Sequence, residues 1–335
     1  MFEIKNRTPF RVALVPTLDV QGRDGAVVVV KATFALGRRG EALALAAEQV
    51  DIVRADAYRG EPGRSSLVHA AEGSPAKPAT DVVLVGHAHA PLRPARELDV
   101  VLAVGPVKKT VRVFGDRRWV RGAAGLSPSE PASFAKMPLV WERAFGGVDE
   151  RDADPAKRSS EARNPVGVGW GTADAPTDQT LPNLEDPRAL VKSPKDRPPP
   201  AGLSFVCPDW LPRKRWAGTY DAAWQRDRFP LAPLDFDARF HQVAPADQQV
   251  APHLVGGEPV VVQNASPTGD LSFPLPRRRL DVVAIVKGFV THHDAPLDLV
   301  VIEPDAGRVT LTWRAAVECS RNLLHLETVR VAEVA

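Results

Sequence analysis

The stretch Ala26-Val-Val-Val-Val-Lys-Ala-Thr-Phe-Ala-Leu36 decides the fold class of this 335-residue chain. It is short, rich in β-branched valine and bounded by turn-forming residues, a pattern that is typical of strands and not of helices. Because its apolar run is nearly continuous, we expect both faces of the strand to be buried in a covered sheet. Eight further segments have the same texture and are predicted as strands: 81–88, 98–104, 109–114, 117–121, 258–263, 280–290, 297–302 and 308–315.

A glycine-containing turn separates two of these segments. Gly115-Asp116 follows segment 109–114 and precedes segment 117–121. Glycine at the first central position suits the type II′ turn, whose twist matches that of paired strands. The spacing therefore predicts a β-hairpin made of these two segments.

Proline is the unusual feature of the composition, because its 32 residues are roughly double the usual share. This abundance argues against long helices and for extended loops. Nineteen of the prolines lie between residues 152 and 276, together with Trp170, Trp210, Trp216 and Trp224. Since large aromatic side chains require burial or a partner, we expect this stretch to form ordered loops over a β-core.

These patterns predict a mainly β protein with a β-sandwich-like core of several sheets, long proline-rich ordered loops and few helices. We expect three parts in one compact unit: an N-terminal β-region (1–147), a loop-rich middle packed on the core (148–257) and C-terminal strands that complete the fold (258–335). A chain of this length can bury a large core without disulfides or a structural metal.

Charge and targeting signals restrict the class of protein. Lys and Arg number 43 against 41 Asp and Glu, and the net charge of +2 argues against a nucleic-acid binder. The N-terminal residues include no apolar signal region, and no apolar run approaches the ~18 residues of a membrane span. We therefore expect a soluble cytoplasmic protein without membrane insertion. Cys207 and Cys319 lack zinc-ligand spacing and are too few for a disulfide framework, so both are predicted as plain thiols.

The sequence lacks the signatures of nucleophilic catalysis and of phosphate binding. There is no Gly-x-Ser-x-Gly elbow, and Cys207 precedes a proline with no base signature nearby. The glycines within 167–171 follow a proline and lead into no predicted helix, unlike those of a phosphate-binding loop. We therefore predict that the protein is not an enzyme and uses no cofactor.

Three clusters of metal-ligating or carboxylate residues leave an enzymatic alternative open. His87 and His89 share one face of a predicted strand, which suits zinc ligands but requires further ones. Asp235 and Asp237 are two residues apart and suit an acid–base pair. Four acidic residues match ligand positions of an EF-hand-like calcium loop, although Pro155 occupies the place of its glycine: Glu150, Asp152, Asp154 and Glu161. The alternative function is a metal- or carboxylate-dependent hydrolase, for example a carbohydrate-active one.

Two basic clusters, Arg213-Lys-Arg215 and Arg277-Arg278-Arg279, lie in this otherwise balanced sequence. Because the chain is not globally basic, we expect these arginines to be salt-bridged or to face a partner protein. Tryptophan, tyrosine and arginine are the residues that most often anchor protein interfaces. The candidate partner-binding residues are therefore Trp210, Arg213, Arg215, Trp216, Tyr220 and Trp224. The alternative role for the aromatic residues among them is to pin loops to the core.

Sequence strings along nearly the whole chain resemble a bacterial family long classed as a domain of unknown function, whose genes lie beside type VI secretion spike genes. Six strings in the middle carry the resemblance: Trp141-Glu-Arg-Ala-Phe-Gly-Gly147, Arg163-Asn-Pro-Val-Gly-Val-Gly169, Leu181-Pro-Asn-Leu-Glu-Asp-Pro187, Ala217-Gly-Thr-Tyr-Asp221, Pro233-Leu-Asp-Phe-Asp237 and Ala244-Pro-Ala-Asp-Gln-Gln249. Five more follow the family's order toward both ends: Asn6-Arg-Thr-Pro-Phe10, Val30-Lys-Ala-Thr-Phe34, Gly115-Asp-Arg-Arg-Trp119, Leu254-Val-Gly-Gly-Glu258 and Trp313-Arg-Ala315. One departure is Leu297-Asp-Leu299, where the family pattern has threonine after the aspartate, and it bears only on local strand packing.

The resemblance implies an adaptor or chaperone that holds a toxic effector, often one with a PAAR-repeat domain, and helps to load it onto the trimeric VgrG spike protein. It also implies that the protein itself is not secreted, and it assigns no catalytic residues. A structural component that travels with the spike stays open as a third possibility.

Several polar and aromatic residues of these strings are predicted to have structural roles. They are Trp141, Arg143, Asn183, Asp186, Asp221, Asp237 and Asp247. Arg143, Asp186 and Asp221 lie beside turn-forming residues, so we expect them to form buried ion pairs that pin loops. Trp141 and Trp313 are flanked by strand patterns and are expected in the core.

Overall fold

A computed structural model describes residues 2–123, 125–171, 177–319 and 322–334. Its strands, in chain order, are β1 (Glu3–Asn6), β2 (Arg11–Leu18), β3 (Asp24–Ala35), β4 (Ala44–Leu45), β5 (Ala57–Tyr58), β6 (Leu67–His69), β7 (Thr80–Leu84), β8 (His87–His89), β9 (Glu97–Val104), β10 (Val107–Phe114), β11 (Trp119–Gly122), β12 (Gly125–Pro128), β13 (Lys136–Pro138), β14 (Phe145–Gly146), β15 (Val168–Gly169), β16 (Leu184–Glu185), β17 (Gln249–Val250), β18 (Pro259–Gln263), β19 (Leu271–Pro274), β20 (Arg279–Val286), β21 (Phe289–His293), β22 (Leu297–Glu303), β23 (Arg308–Glu318) and β24 (Leu326–Val334).

Helices are short throughout the described part of the chain. The α-helix there is α1 (Ala222–Asp227), and single turns of 3₁₀-helix occur at Trp141–Arg143, Pro155–Lys157, Arg213–Trp216, Ala238–His241, Ala246–Gln248, Pro304–Ala306 and Leu323–His325. The predicted fold class, mainly β with several sheets and few helices, is therefore confirmed. Within these ranges no helix has the length and apolar character that a membrane crossing requires.

The largest sheet joins strands from both ends of the chain. Its order is β17-β7-β22-β23-β3-β2, and β4 pairs with β3. β23 lies antiparallel to both β3 and β22, and β22 lies parallel to β7. Two strands from the C-terminal part of the chain, β22 and β23, therefore lie between β7 and β3, which belong to the first hundred residues.

Two further sheets complete a sandwich-like core. One has the order β16-β10-β9-β18-β19 and the other β1-β24-β20-β21. Val28 of β3, Leu102 of β9 and Val282 of β20 belong to one continuous cluster of buried apolar side chains. In β9, Val100, Leu102 and Val104 alternate with less buried residues, the period expected of a strand with one face on a core.

The predicted hairpin around Gly115-Asp116 is wrong. β10 pairs with β9 and β16, whereas β11 pairs with β12. The turn between β9 and β10 is Gly105-Pro106, with Gly105 at a φ of 52°. Gly115 instead allows a close approach, because a Cβ atom there would lie 1.7 Å from the carbonyl oxygen of Ala132.

The segment 280–290 forms two strands and not one. β20 and β21 are joined by Lys287-Gly288, whose φ angles of 50° and 75° fit the type I′ turn. The predicted strand 81–88 is likewise divided between β7 and β8. β1, β2 and β24 were not predicted; Pro16 within β2 weakens its strand pattern.

The proline-rich middle runs along the β7 edge of the largest sheet. The carbonyl of Leu203 accepts a hydrogen bond from the amide of Leu84 at 2.9 Å, and the carbonyl of Val243 accepts one from the amide of Val206 at 2.8 Å. β17 then pairs with β7. These ordered loops cover a strand edge that would otherwise be open to pairing with another chain.

Six charged side chains, here called the buried charge cluster, lie within and beside this sheet: Lys31, Glu72, Lys77, Asp81, Asp298 and Arg314. Lys31 Nζ lies 2.9 Å from a Glu72 carboxylate oxygen, and Lys77 Nζ lies 2.8 Å from one of Asp81. Arg314 pairs with Asp298 and donates from Nε to the Glu72 carbonyl at 3.0 Å. Burial lowers the pKa of Lys77, and the Asp81 carboxylate opposes that shift.

Candidate functional site

A cavity of about 540 Å³, here called the motif cavity, lies where several loops of the motif strings meet. Four of its lining residues come from different strings: Trp141, Arg163, Asp186 and Asp247. Apolar and proline residues provide much of the remaining wall: Pro187, Pro199, Val206, Leu211, Pro212 and Pro245. Concave sites with mostly apolar walls and a few polar groups are typical of ligand and peptide binding.

A pair of tryptophans fixes the loop beneath this cavity. Trp141 Nε1 donates to the carbonyl of Phe205 at 2.8 Å, and its ring meets that of Trp210 nearly at right angles, with centroids 5.8 Å apart. A Cβ atom at Gly202 would lie 2.5 Å from the Trp141 ring, so only glycine fits there. Trp210 is 1% exposed, which favours the pinning role over partner contact.

The charged groups at the motif cavity are largely paired with each other. Lys109 Nζ lies 2.8 Å from Asp247 Oδ1, and desolvation lowers the lysine pKa while Asp247 opposes the shift. Arg188 lies 2.7 Å from Asp186 and keeps the pKa of that carboxyl below its usual value. Lys108 has no ion pair among the described residues. Arg163 pairs with Glu161 outside the lining, so Lys108 leaves one unpaired positive charge at a cavity whose walls are mostly apolar.

Two asparagines hold the motif loops together through their amide groups. Asn164 Nδ2 donates to the carbonyls of Trp141 and Phe145 at 2.8 and 3.0 Å. Asn183 Nδ2 donates to the carbonyl of Phe114 at 3.1 Å, and its Oδ1 accepts from Arg143 at 2.9 Å. Asn164 lies between Arg163 and Pro165, which is a turn signal, but it is not among the residues predicted from the sequence to have structural roles.

The expectation of buried ion pairs at Arg143, Asp186 and Asp221 is wrong in detail. Arg143 reaches Asn183 and, at 3.2 Å, an Asp116 carboxylate that is mostly exposed. Asp186 pairs with an exposed Arg188. Asp221 makes no ion pair in the described contacts; its side chain caps α1 by accepting from the amide of Trp224 at 2.8 Å. Buried ion pairs occur elsewhere: Lys31–Glu72, Lys77–Asp81, Arg117–Glu185 and Arg314–Asp298.

Residues 213–241 form a segment, here called the aromatic lobe, that carries most of the predicted partner-binding residues. Capping aspartates start two of its helical turns: Asp221 caps α1 and Asp237 caps the turn Ala238–His241. α1 has no buried residue. The lobe therefore contributes little to the apolar core and exposes its own side chains.

Aromatic rings and guanidinium groups stack on the surface of the lobe. The guanidinium carbons of Arg215 and Arg239 lie 4.3 and 3.4 Å from the ring centroid of Trp216. Trp224 stands between Tyr220 and Phe229, with centroids at 4.7 and 5.8 Å. Three of the lobe's large apolar side chains are more than half exposed: Tyr220, Phe229 and Leu234. Sequence reasoning missed Phe229 and Leu234, whose exposure no local pattern signals.

Two arginines attach the lobe to the body of the protein. Arg213, which is buried, donates to the carbonyls of Val206 and Phe240 at 2.6 and 3.1 Å. Arg228 donates to the carbonyl of Val20 across the molecule. Of the predicted partner-binding residues, Trp210 and Arg213 thus have buried positions. Arg215 and Tyr220 are exposed, and Trp216 and Trp224 beside them are half-buried.

The two carboxylates considered for catalysis accept hydrogen bonds from nearby residues, and the thiol considered for catalysis has a raised pKa. Asp235 accepts from the amide and hydroxyl of Thr219 at 3.0 and 2.7 Å, and these bonds lower its pKa. Arg239 lowers the pKa of Asp237 to about 2. Neither carboxyl has the raised pKa that suits a general acid. Burial raises the pKa of Cys207 to about 12, so its thiolate is disfavoured near neutral pH.

The side chains of the candidate calcium loop (residues 150–161) and of His87 and His89 make hydrogen bonds to nearby residues. Asp152 and Asp154 each accept a hydrogen bond from a nearby amide, at 2.9 and 3.0 Å. His87 and His89 lie on one face of β8 and both contact the Asp305 carboxylate, at 2.5 and 2.7 Å. Across the four described ranges, no group of three or more His, Cys, Asp or Glu residues is arranged to hold a metal ion.

Comparison with known proteins identifies a family for this chain. No curated protein and no solved structure matches the chain. The model of a family described as an uncharacterized protein conserved in bacteria, DUF2169, matches residues 21–314. Because this match covers most of the sequence, including the whole aromatic lobe, the chain belongs to the bacterial family DUF2169.

Proposed function

We propose that this protein is a cytoplasmic adaptor or chaperone of type VI secretion. In this role it binds an effector, for example one with a PAAR domain, and assists its loading onto the VgrG spike protein. The observation that carries the proposal is the aromatic lobe beside the motif cavity, a surface suited to binding another protein. The assignment to type VI secretion rests on the resemblance of the motif strings alone.

The lobe has the composition of an interface centre. Tyr220, Phe229 and Leu234 expose large apolar surfaces, and exposed apolar patches of this kind mark interaction sites. Burying three such side chains contributes on the order of 5 kcal/mol before the cost of association. The guanidinium group of Arg215 adds donors for carboxylates or carbonyls of the partner, whereas that of Arg239 is paired with Asp237.

The motif cavity extends this surface. Leu211 and Pro212 line the cavity and directly precede the first turn of the lobe, Arg213–Trp216. An apolar segment of the partner can therefore enter the cavity while its flanks contact the lobe. A chaperone that shields an apolar effector segment needs a surface of this kind, because such a segment aggregates when it is exposed.

The hydrolase alternative receives less support from the same residues. Asp235 and Asp237 are ionised hydrogen-bond acceptors with lowered pKa values, which suits turn capping better than acid catalysis. A structural component of the spike would be found in secreted fractions, whereas the proposed adaptor stays in the cytoplasm. Fractionation of cells and medium separates these two possibilities.

A pull-down of the tagged protein from its own cytoplasm, followed by mass spectrometry at two salt concentrations, tests the proposal. We expect the wild type to capture a VgrG protein or a PAAR-domain effector, and a Tyr220→Ala/Phe229→Ala variant to lose it. A Leu92→Ala/Leu324→Ala variant is the control, because it removes two apolar side chains elsewhere that are even more exposed. Absence of both partners from the wild-type sample, or equal capture by the lobe variant, would contradict the proposal.

A further inference from the structure

A second cavity, of about 780 Å³, has three consecutive arginines in its wall. It is here called the basic groove, and its charged and exposed lining residues are Arg277, Arg278, Arg279, His253, Asp294 and Val255. Two motif strings also contribute to its lining, through Leu254 and Trp313. The groove shares no lining residue with the motif cavity and contains none of the aromatic lobe.

Two glycines shape the loop that holds Arg277. Gly256 and Gly257 have φ angles of 87° and 91°, a region that favours glycine. A Cβ atom at 256 would lie 2.5 Å from Arg277 Cα, and one at 257 would lie 3.0 Å from its Nη2. Arg277 Nε donates to the Gly256 carbonyl at 3.2 Å. The guanidinium is thus placed by a carbonyl and not by a carboxylate, so its charge is not neutralised.

The other charges that face the groove leave it positive. The side chain of Arg279 makes no hydrogen bond or ion pair among the described residues, although its backbone is paired with Val334 in the sheet. Arg278 has one carboxylate nearby, with Nε 3.6 Å from Glu333 Oε1 and both side chains exposed to solvent. His253 contacts the Lys77 carbonyl at 2.9 Å, and Asp294 is the acid in the lining. The lining therefore has three guanidinium groups and one carboxylate, Asp294, while Glu333 outside the lining offsets part of the charge of Arg278.

The floor of the groove is apolar, which restricts the ligand further. Leu254, Leu280, Leu297 and Trp313 are each at most 7% exposed, and Val255 beside them is 70% exposed. A nucleic-acid backbone has no apolar side chain to place on this floor. An acidic peptide that carries an apolar side chain satisfies both the charges and the floor.

We propose that the basic groove binds an acidic, extended segment of a partner protein. Its carboxylates contact Arg277 and Arg279, and an apolar side chain between them lies on the floor near Leu254 and Val255. This site is independent of the proposed function, because it uses no residue of the lobe or the motif cavity. It gives the protein a second docking surface, which allows two partners to bind at once.

Fluorescence anisotropy with a labelled octapeptide, Asp-Glu-Phe-Asp-Glu-Leu-Asp-Glu, tests this proposal on the full-length protein. The comparison peptide replaces every Asp and Glu by Asn and Gln. We expect the acidic peptide alone to bind, more weakly at higher salt, and at least tenfold more weakly to an Arg277→Gln/Arg279→Gln variant. An Arg93→Gln/Arg121→Gln variant removes two exposed arginines without ion pairs in the described contacts and should bind like the wild type.

A third variant and a second probe keep the test decisive. Val255→Glu places a carboxylate at an exposed position of the groove, so it should repel the acidic peptide without disturbing the fold. No binding by the wild type, equal binding of the neutral peptide, or unchanged binding by both groove variants would overturn the proposal. Tighter binding of a labelled oligothymidylate of equal charge would assign the groove to nucleic acid instead.

Discussion

The buried charge cluster of the largest sheet and the aromatic lobe both contain several charged side chains, but their environments are opposite. Lys31 and Glu72 of the cluster are 3–4% exposed at their side chains, whereas the side chains of the lobe pair Arg226 and Asp227 are more than half exposed. Desolvation makes a buried ion pair costly unless further hydrogen bonds satisfy it, while an exposed pair contributes little. The buried charged side chains of the cluster therefore stabilise the fold, whereas the exposed charged side chains of the lobe remain accessible to a partner.

Asp81 illustrates the first case. Its carboxylate contacts Lys77 at 2.8 Å and also accepts from Gln242 Nε2 and from the amides of Val243 and Ala244, at 2.8–3.0 Å. One buried carboxylate thus fastens the proline-rich middle to β7. The lobe ends at His241, directly before the anchored residues Gln242, Val243 and Ala244, so this attachment fixes one end of the lobe.

The largest effect is expected from Asp81→Ala. The substitution leaves the buried Lys77 ammonium and three backbone or side-chain donors without their acceptor, so we expect the free energy of unfolding to fall by roughly 3–5 kcal/mol. Asp227→Ala in the lobe is the control and should change it by less than about 0.5 kcal/mol. Urea denaturation measures both. A loss below about 1 kcal/mol for Asp81→Ala would remove the distinction between the two regions.

A second comparison concerns Trp210 and Trp216, which are six residues apart. Trp210→Ala removes a buried ring that packs on Trp141, so we expect a loss of about 3–4 kcal/mol in the free energy of unfolding. Trp216→Ala removes a ring at the surface of the lobe and should cost about 1 kcal/mol. The same denaturation experiment checks this order. Equal losses would place Trp216 in the core and exclude it from the partner surface.

The junction between lobe and body predicts a pH effect. Burial, with the positive charges of Arg213 and Lys77, lowers the pKa of His241 to about 4. The unfolded chain therefore binds the proton first as the pH falls through ~6.5, and stability is lost between that pH and about 4. We expect His241→Gln to reduce the wild-type loss between pH 7 and pH 5 by on the order of 1–2 kcal/mol. Denaturation at the two pH values measures it; parallel losses in both proteins would show that His241 titrates normally.

The smallest stability effect is expected in the lobe itself. Tyr220→Ala/Phe229→Ala removes two exposed rings that pack on Trp224, so the free energy of unfolding should change by less than about 1 kcal/mol. Thermal unfolding should shift by only a few degrees, about 2–4 °C at most for a domain of this size. A larger loss would mean that the lobe is part of the folding core.

Local pattern predicted the strands but not their partners or surroundings. Valine-rich runs identified most of the core strands because β-branched side chains favour pleated, buried surfaces. Asp81 and Asp99 open nearly identical strings, yet Asp81 is fully buried in the charge cluster while Asp99 pairs with Arg112 near the surface. Only the path of the proline-rich middle, which covers β7, distinguishes them.

The residue types of the candidate site could be predicted from the sequence better than the positions and contacts of those residues. Trp210 and Trp216 have the same residue type in the same loop, and what separates them is the packing of Trp210 against Trp141, a contact distant in sequence. Arg143, Asp186 and Asp221 were expected in buried ion pairs, but Asp186 accepts a hydrogen bond from the amide of the exposed Arg188 and Asp221 caps α1. The basic groove combines arginines at 277–279 with a glycine loop some twenty residues earlier, so no single string revealed it.

Co-expression of the protein with a candidate PAAR-domain effector tests the central proposal, that the aromatic lobe is a partner surface. The account predicts that the wild type raises the soluble yield of the effector and co-elutes with it. It also predicts that Tyr220→Ala/Phe229→Ala does neither while its unfolding temperature stays within a few degrees of the wild type. An unchanged effector yield with the wild type, or full activity of the folded lobe variant, would contradict the claim.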